Sequence, residues 1–222
     1  MTVKEIKRTL QSEFVRTLRK PFVDAVKAYG LVKPSDKVAV CISGGKDSML
    51  QAKLIQQLQR VSEVPFEAKY LVMDPGYHPV NRTKIQENAA LLGIPIQIFD
   101  TDIFAVTESE PKNCCYLCAR MRRGHLYSLA QSLGGNKIAL GHHFDDVIET
   151  TLMGMLYGGQ IQGMMPKLHS TNFPGMELIR PLYCVKEKDI IAWKRYNDLE
   201  FIQCACRMTE KMSQSLDRKS VV

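Results

Sequence analysis

The chain has 222 residues, of which 45% are hydrophobic and 24% charged, with a formal net charge of +7. That length suits one domain, or one domain with a small appendage, and a core that needs no disulfide staples. The absence of a run of about 18 apolar residues argues against a membrane span. The opening MTVKEIKRTLQSEF lacks the uninterrupted apolar stretch of a signal peptide, so a cytoplasmic, reducing setting is expected.

Along the first twenty residues, Ile6, Leu10, Phe14 and Leu18 fall four apart, a helical stripe over residues 3–20. Lys4, Lys7, Arg8, Arg16, Arg19 and Lys20 surround it. They form either a solvated face or a basic surface for RNA phosphates. Pro21 is expected to end or kink the helix. From residue 36 short apolar runs alternate with helical stretches. Strands are expected over 37–42, 67–73, 94–99, 137–140 and 177–182, and helices over 47–60, 80–92, 118–133, 145–157 and 187–197. This alternation predicts an α/β fold with an open, doubly wound, mainly parallel sheet. Residues 1–35 would form an N-terminal helical segment packed on a main domain of 36–206, followed by a polar tail, 207–222. Residues 158–175, rich in glycine and proline, read as a long functional loop. In such sheets ligands lie beyond the carboxyl ends of the strands.

The run VAVCI-SGGKDS ends a buried strand in a tight turn and opens a helix near Asp47. Unpaired backbone N–H groups and the positive end of the helix dipole then converge on one point. Gly44 and Gly45 allow close approach of a phosphate, Ser43 and Ser48 offer hydroxyls, and Lys46 a cation. Asp47 follows the lysine where a Walker A loop would carry Ser or Thr, and an acid there could help hold Mg²⁺.

Seven cysteines, an odd number, do not make a fully paired framework. Cys41, within VAVCI, reads as core, and Cys184 similarly. In NCCYLCARMRRG, Cys115 and Cys118 form C-x-x-C, with Cys114 alongside and Arg120, Arg122 and Arg123 following. Two thiolates at that spacing can clasp a metal at a helix start, and nearby cations favour thiolate. Zinc, iron–sulfur and redox roles all remain open on spacing alone. Cys204 and Cys206 could supply a further ligand.

Other candidates flank the strand ends. Asp145 and Asp146 start a helix, where they could cap it or act in Mg²⁺ or acid–base chemistry. Gly141, His142 and His143 lie on the same turn. Asp74 precedes Pro75-Gly76, so turn chemistry or a nucleotide contact could explain it. Met153, Met155, Met164 and Met165 read as core or loop packing.

SGGKDS resembles the PP-loop of the adenine-nucleotide α-hydrolase-like superfamily, which holds the pyrophosphate of ATP. C-x-x-C-x-R-x-R-R-G is similar to the tRNA 2-thiocytidine synthetase family, a branch of that superfamily. So are GHHFDD with Glu149 and Thr150, Met164–Leu168, and Arg180-Pro181-Leu182. The similarity covers roughly residues 1–206. It implies an enzyme that adenylates the C2 oxygen of a tRNA cytidine with ATP and Mg²⁺ and replaces it with sulfur. It also implies a [4Fe–4S] cluster on Cys115, Cys118 and Cys204, whose remaining iron holds the incoming sulfur. Lys46, Asp47, Asp145, Asp146 and Arg122 are the expected catalytic residues. Ser43, Gly44, Gly45, Lys46, Asp47, Ser48, Asp74, Gly141 and His142 are the expected nucleotide-binding ones. The anticodon loop is the expected partner, with a sulfur-donating desulfurase, no membrane, and a homodimer. Relatives carry C-x-x-C at the distant site, whereas this chain has Cys204-Ala-Cys206, so either could be the third ligand. Two alternatives stand beside this reading: a PP-loop enzyme for another tRNA base or a small molecule, and a nucleotide- and cluster-binding sensor without turnover.

Overall fold

A computed structural model describes residues 2–108, 114–161 and 163–202, without the side chains at 108 and 114–116. Six strands make one sheet: β1 (Lys37–Ile42), β2 (Glu67–Asp74), β3 (Ile96–Asp100), β4 (Lys137–Ala139), β5 (Lys167–His169) and β6 (Glu177–Ile179). Their spatial order is β3-β2-β1-β4-β6-β5. All neighbours are parallel except β5 against β6. The expected doubly wound, mainly parallel sheet is therefore present. The antiparallel edge strand β5 corrects the reading of 158–175 as a loop throughout, because a three-residue strand is too short to leave a periodic signature.

Strand β1 shows why the sheet is covered on both faces. Val38, Val40 and Ile42 alternate with Ala39 and Cys41, and all five are buried. The first three join a cluster with Leu50, Leu54 and Trp193. The other two join a second cluster with Leu71, Tyr127, Ile138 and Leu178. Cys41 is thus core, and burial pushes its thiol up to about 12.

The helices are α1 (Val3–Thr9), α2 (Lys20–Ala28), α3 (Lys46–Val61), α4 (Pro79–Leu92), α5 (Ile103–Glu108), α6 (Cys114–Ser132), α7 (Phe144–Gly158) and α8 (Glu187–Tyr196). The single helix expected over 3–20 is instead two helices joined by a π-helical turn, Val15–Arg19. Pro21 does not end a helix; it lies in the first turn of α2, directly after the π-helical turn, and proline is tolerated in a helix's first turn. Ile6, Leu10 and Leu18 are nevertheless all buried in the larger core cluster. Helix α5 has no counterpart in the sequence reading, its six residues being below the length at which helical periodicity can be counted.

The order of strands reverses between β1 and β4, so the chain leaves the carboxyl ends of these neighbours toward opposite sides of the sheet. A crevice at such a point receives the ligand in open α/β sheets. The turns after β1 and β4 carry SGGKDS and GHHFDD.

Candidate active site

The turn after β1 is held by a few short bonds. The Ser43 amide donates to Ser48 Oγ at 3.2 Å, and Ser48 Oγ donates to the Gly45 carbonyl at 3.0 Å. Gly44 adopts φ +89°, and a Cβ there would stand 2.6 Å from Ile85 and 2.7 Å from Ile202. Gly45 is the N-cap of α3 and contributes no side-chain cap, so the first-turn N–H groups are left for a ligand. Gly141 crosses close by: a Cβ on it would sit 3.1 Å from the backbone N of Ser48. Glycine there lets the two turns meet.

Between those turns lies a cavity of about 380 Å³, lined by Cys41, Ile42, Ser43, Asp47, Ser48, Met73, Arg122, Leu126, Leu140, Gly141, His142 and Asp146. Seven residues singled out from the sequence thus share one space: Ser43, Asp47, Ser48, Arg122, Gly141, His142 and Asp146. Lys46, Asp74 and Asp145 are not part of its lining. Lys46 Nζ is 3.1 Å from Asp47 and 2.8 Å from Glu187. Burial works against its charge, but the bond to Glu187 and the Asp47 carboxylate outweigh it and raise the pKa above the ordinary ammonium value. Asp145 accepts the Glu187 amide at 2.7 Å and so caps α8 rather than its own helix. Asp74 accepts from the Gly76 and Tyr77 amides at 2.9 and 2.6 Å and pairs with Arg82 at 3.0 Å. Its carboxylate is thereby committed to the turn after β2.

His143 and Asp146 form a reciprocal cap at the start of α7. The His143 amide donates to Asp146 Oδ2 at 2.8 Å and the Asp146 amide donates to His143 Nδ1 at 3.3 Å. Asp47 Oδ1 is buried without a hydrogen-bond partner among the described residues. Burial raises its pKa, against the lowering pull of Lys46. An orphaned carboxylate oxygen beside a second acid, Asp146, suits a hard cation such as Mg²⁺. His142 Nδ1 is also buried and unpartnered among these residues. Its pKa is lowered by burial and then by the Arg180 charge, so the ring is neutral near pH 7.

The C-x-x-C helix reaches the same place. Cys118 is half-buried on α6 and outside any disulfide, one turn before Arg122. Arg122 Nη2 donates to Tyr77 Oη at 3.1 Å, and Tyr77 Oη approaches the Ser43 carbonyl at 3.5 Å. Tyr77 thus ties α6 to the phosphate turn. The Cys115 backbone lies in the first turn of α6, but its side chain, with Cys204 and Cys206, lies outside the described residues. Ile202, two positions before Cys204, packs against Gly44. Of the expected cluster ligands only the Cys118 side chain is described, and among the described residues no three His, Cys, Asp or Glu side chains come together as a metal site.

Sequence reasoning did not single out Glu187, Tyr77 or Arg82. An acid five residues after Arg180-Pro181-Leu182, at a helix start, was the available signal for Glu187. Tyr77 and Arg82 carried none, because their roles come from segments distant in sequence. The reading of the methionines as packing is corrected in part: Met153 and Met155 are exposed on α7, which has no buried residue, and Met165 is exposed beyond it, whereas Met164 is partly buried.

A parallel sheet with a glycine turn between β1 and α3 facing GHHFDD defines a PP-loop ATP-pyrophosphatase fold, and the PP-loop domain family profile matches residues 10–222. Within that class the chain belongs to the tRNA-cytidine(32) 2-sulfurtransferase family, ATP-dependent sulfurtransferase enzymes. It is 36% identical to the Alcanivorax borkumensis member over 89% of this chain and 70% of that one. It is 37% identical to a Neisseria meningitidis member over 90% and 64%, and 36% identical to a Xylella fastidiosa member over 96% and 71%. The chain thus spans about two thirds of the length of these relatives. The U34-tRNA thiolase NcsA from Methanococcus maripaludis, solved with its [4Fe–4S] cluster, superposes with a TM-score of 0.67 at 21% identity, covering 85% of this chain and 65% of that one. That likeness is one of fold. Among the described residues, no helix is long and apolar enough to cross a membrane.

Proposed function

We propose that this chain adenylates the C2 oxygen of a tRNA cytidine in the anticodon loop and replaces it with sulfur, giving 2-thiocytidine. The observation that carries this reading is the single cavity joining the phosphate turn to Asp47, Arg122, His142 and Asp146, beside the helix that bears Cys118. The family membership and the names of the relatives support the same substrate.

ATP lies with its phosphates against the uncapped start of α3, where the backbone N–H groups and Ser43 and Ser48 face it. Lys46 exchanges Glu187 for a phosphate oxygen and steadies the charge that grows on departing pyrophosphate. Asp47 and Asp146 would hold Mg²⁺, which would screen the phosphate charge. The cytidine C2 oxygen attacks the α phosphorus, the α–β bond breaks, and pyrophosphate leaves, so that AMP becomes the group displaced in the second step. Neutral His142 contacts the adenylate through its unpartnered Nδ1, and Arg122, steadied by Tyr77, pairs with its phosphate. A [4Fe–4S] cluster on Cys115, Cys118 and Cys204 supplies the sulfur nucleophile when bound. A cysteine desulfurase is the proposed donor of that sulfur, the cytoplasm the proposed location, and a homodimer the proposed assembly, which light scattering of the purified chain checks.

Anaerobically reconstituted protein is incubated with ATP, a sulfur source and tRNA, and the nucleosides are read by mass spectrometry. 2-Thiocytidine is expected, lost in Cys118→Ala and Cys204→Ala together with iron and acid-labile sulfide. Turnover of ATP to AMP and pyrophosphate without 2-thiocytidine would move the assignment to another base.

A further inference from the structure

The two oxygens of Asp47 are placed differently. Oδ2 lies 3.1 Å from Lys46 Nζ. Oδ1 is buried without a hydrogen-bond partner among the described residues. Across from Oδ1 stands the ring of His143, with Nε2 3.9 Å away. A hydrogen bond forms at about 3 Å, so the two atoms are roughly 1 Å from bonding.

His143 is held firmly. It is 5% exposed and forms the N-cap of α7. Its amide donates to Asp146 Oδ2 at 2.8 Å, and the next amide, that of Phe144, donates to the Val185 carbonyl at 2.9 Å. The ring is held as well, because the Asp146 amide donates to Nδ1 at 3.3 Å. A nitrogen that accepts a hydrogen bond keeps its lone pair there, so the ring carries its proton on Nε2. Two carboxylate oxygens lie on the Nδ1 side, Asp146 Oδ2 at 3.3 Å and Asp145 Oδ2 at 3.8 Å. Each already accepts a backbone amide, that of His143 and that of Glu187 respectively. The cap of α7 therefore leaves one N–H of this ring free for Asp47.

The part able to move is Asp47, whose side chain is 27% exposed in the first turn of α3. Lys46 must leave Asp47 as well as Glu187 to meet a phosphate. Oδ2 then loses its cation, and a shift of roughly 1 Å brings Oδ1 into bonding distance of Nε2.

We propose that His143 is a positioning residue: its Nε2–H fixes Asp47 Oδ1 once Lys46 turns to the phosphates. The bond takes one of the carboxylate's roughly four lone-pair sites and leaves the others for Mg²⁺. This rests on the role proposed above for Asp47 and adds what orients it.

Proton–nitrogen correlation spectra of the histidine rings test the geometry, with His143→Asn assigning the resonances by their loss. Near neutral pH, His143 is expected as the Nε2–H form with a bare Nδ1. ATP with Mg²⁺ should shift the Nε2 signal in wild type but not in Asp47→Ala. Calorimetry with ATP tests the consequence. Asparagine is a strong N-cap, so His143→Asn keeps an acceptor for the Asp146 amide and loses the reach to Asp47. It is expected to weaken ATP binding about 10-fold with Mg²⁺, the scale of losing a group behind a metal-holding side chain. Binding without Mg²⁺ should stay unchanged. Adding His143→Asn to Asp47→Ala should weaken binding no further, since the interaction is already gone. An Nδ1–H ring, or losses that add in the double variant, would overturn the proposal. So would equal losses with and without Mg²⁺ together with a lowered Tm, which would leave His143 a cap alone. None of these readouts needs RNA. Coupled losses without 2-thiocytidine formation would therefore leave the role of His143 standing and remove the proposed reaction. 2-Thiocytidine formation with additive losses would do the reverse.

Discussion

Glu187 Oε1 lies 2.8 Å from Lys46 Nζ, so the first turn of α8 holds the one lysine of the phosphate turn. Both side chains are partly exposed, 24% for Lys46 and 40% for Glu187, which places the pair nearer a surface ion pair than a buried one. A phosphate must take the place of Glu187 on this ammonium. Glu187→Gln is therefore expected to tighten ATP binding about 3-fold, within the ~1 kcal/mol range of exposed pairs. Unfolding free energy should change little. Isothermal titration with ATP and Mg²⁺ decides it; weaker binding would mean that Glu187 orients Lys46 rather than competing for it.

Lys46 itself should behave differently. Lys46→Ala is expected to lower the rate of pyrophosphate release by about 10²–10³-fold, the scale of removing one pre-aimed charge from a transition state. A coupled pyrophosphate assay at saturating ATP measures it. A loss seen only in KM would confine Lys46 to ground-state binding.

Gly44 cannot accept a side chain. At φ +89° an added Cβ is strained, and it would clash with Ile85 and with Ile202 just before Cys204. Gly44→Ala is expected to cost about 1–3 kcal/mol of stability from the strained backbone alone, and to impair nucleotide binding as well. Urea unfolding followed by circular dichroism, with ATP titration of the folded fraction, reads both effects.

Lys137 sits 2% exposed between Asp36 at 2.8 Å and Glu177 at 2.9 Å, and donates to the Leu31 carbonyl at 2.9 Å. It joins the start of β4 to the segment entering β1. Lys137→Met would take the cation from buried Asp36 and partly exposed Glu177, with an expected loss of about 3 kcal/mol. In the native protein, burial pushes the Asp36 pKa up, but the hydrogen bonds from Lys137, Asn136 and the Lys33 amide prevail and hold it below 3.8. That stabilisation is fully present above the unfolded value and is lost as pH falls through the lower folded one. Acid unfolding of wild type and variant should diverge least below that range.

His142 gives a second pH signature with its own window. The folded ring resists protonation, through burial and then Arg180, whereas the unfolded ring titrates near 6.5. The unfolded state thus binds more protons below pH 6.5, and stability falls as pH drops from there toward the lowered folded pKa. His142→Gln should flatten this part of the profile of Tm against pH. An unchanged slope would place the titration elsewhere.

The chemistry-bearing segments could be read from the sequence because each is local. SGGKDS needs only the residues that make a strand, a tight turn and a helix start, and the alternation of Val38, Val40 and Ile42 with Ala39 and Cys41 already dictates a strand buried on both faces. Cysteine and arginine spacing on α6 was visible for the same reason. The sequence did not distinguish which acids are free. Asp74, Asp145 and Asp146 look alike as carboxylates at strand and helix ends, and only the packed chain commits Asp74 to Arg82 and Asp145 to the amide of Glu187, leaving Asp47 Oδ1 without a hydrogen bond among the described residues. The break between α1 and α2 was likewise hidden, since a stripe every four residues persists through a π-helical turn. By itself, then, the sequence determined the class of fold, the phosphate turn and the cysteine motif, whose geometry is set by neighbours along the chain. The pairing of Lys46 with Glu187, the burial of Arg180 and the bare face of α7 were decided only by tertiary structure, because a side chain's surroundings depend on which distant segments the fold brings beside it.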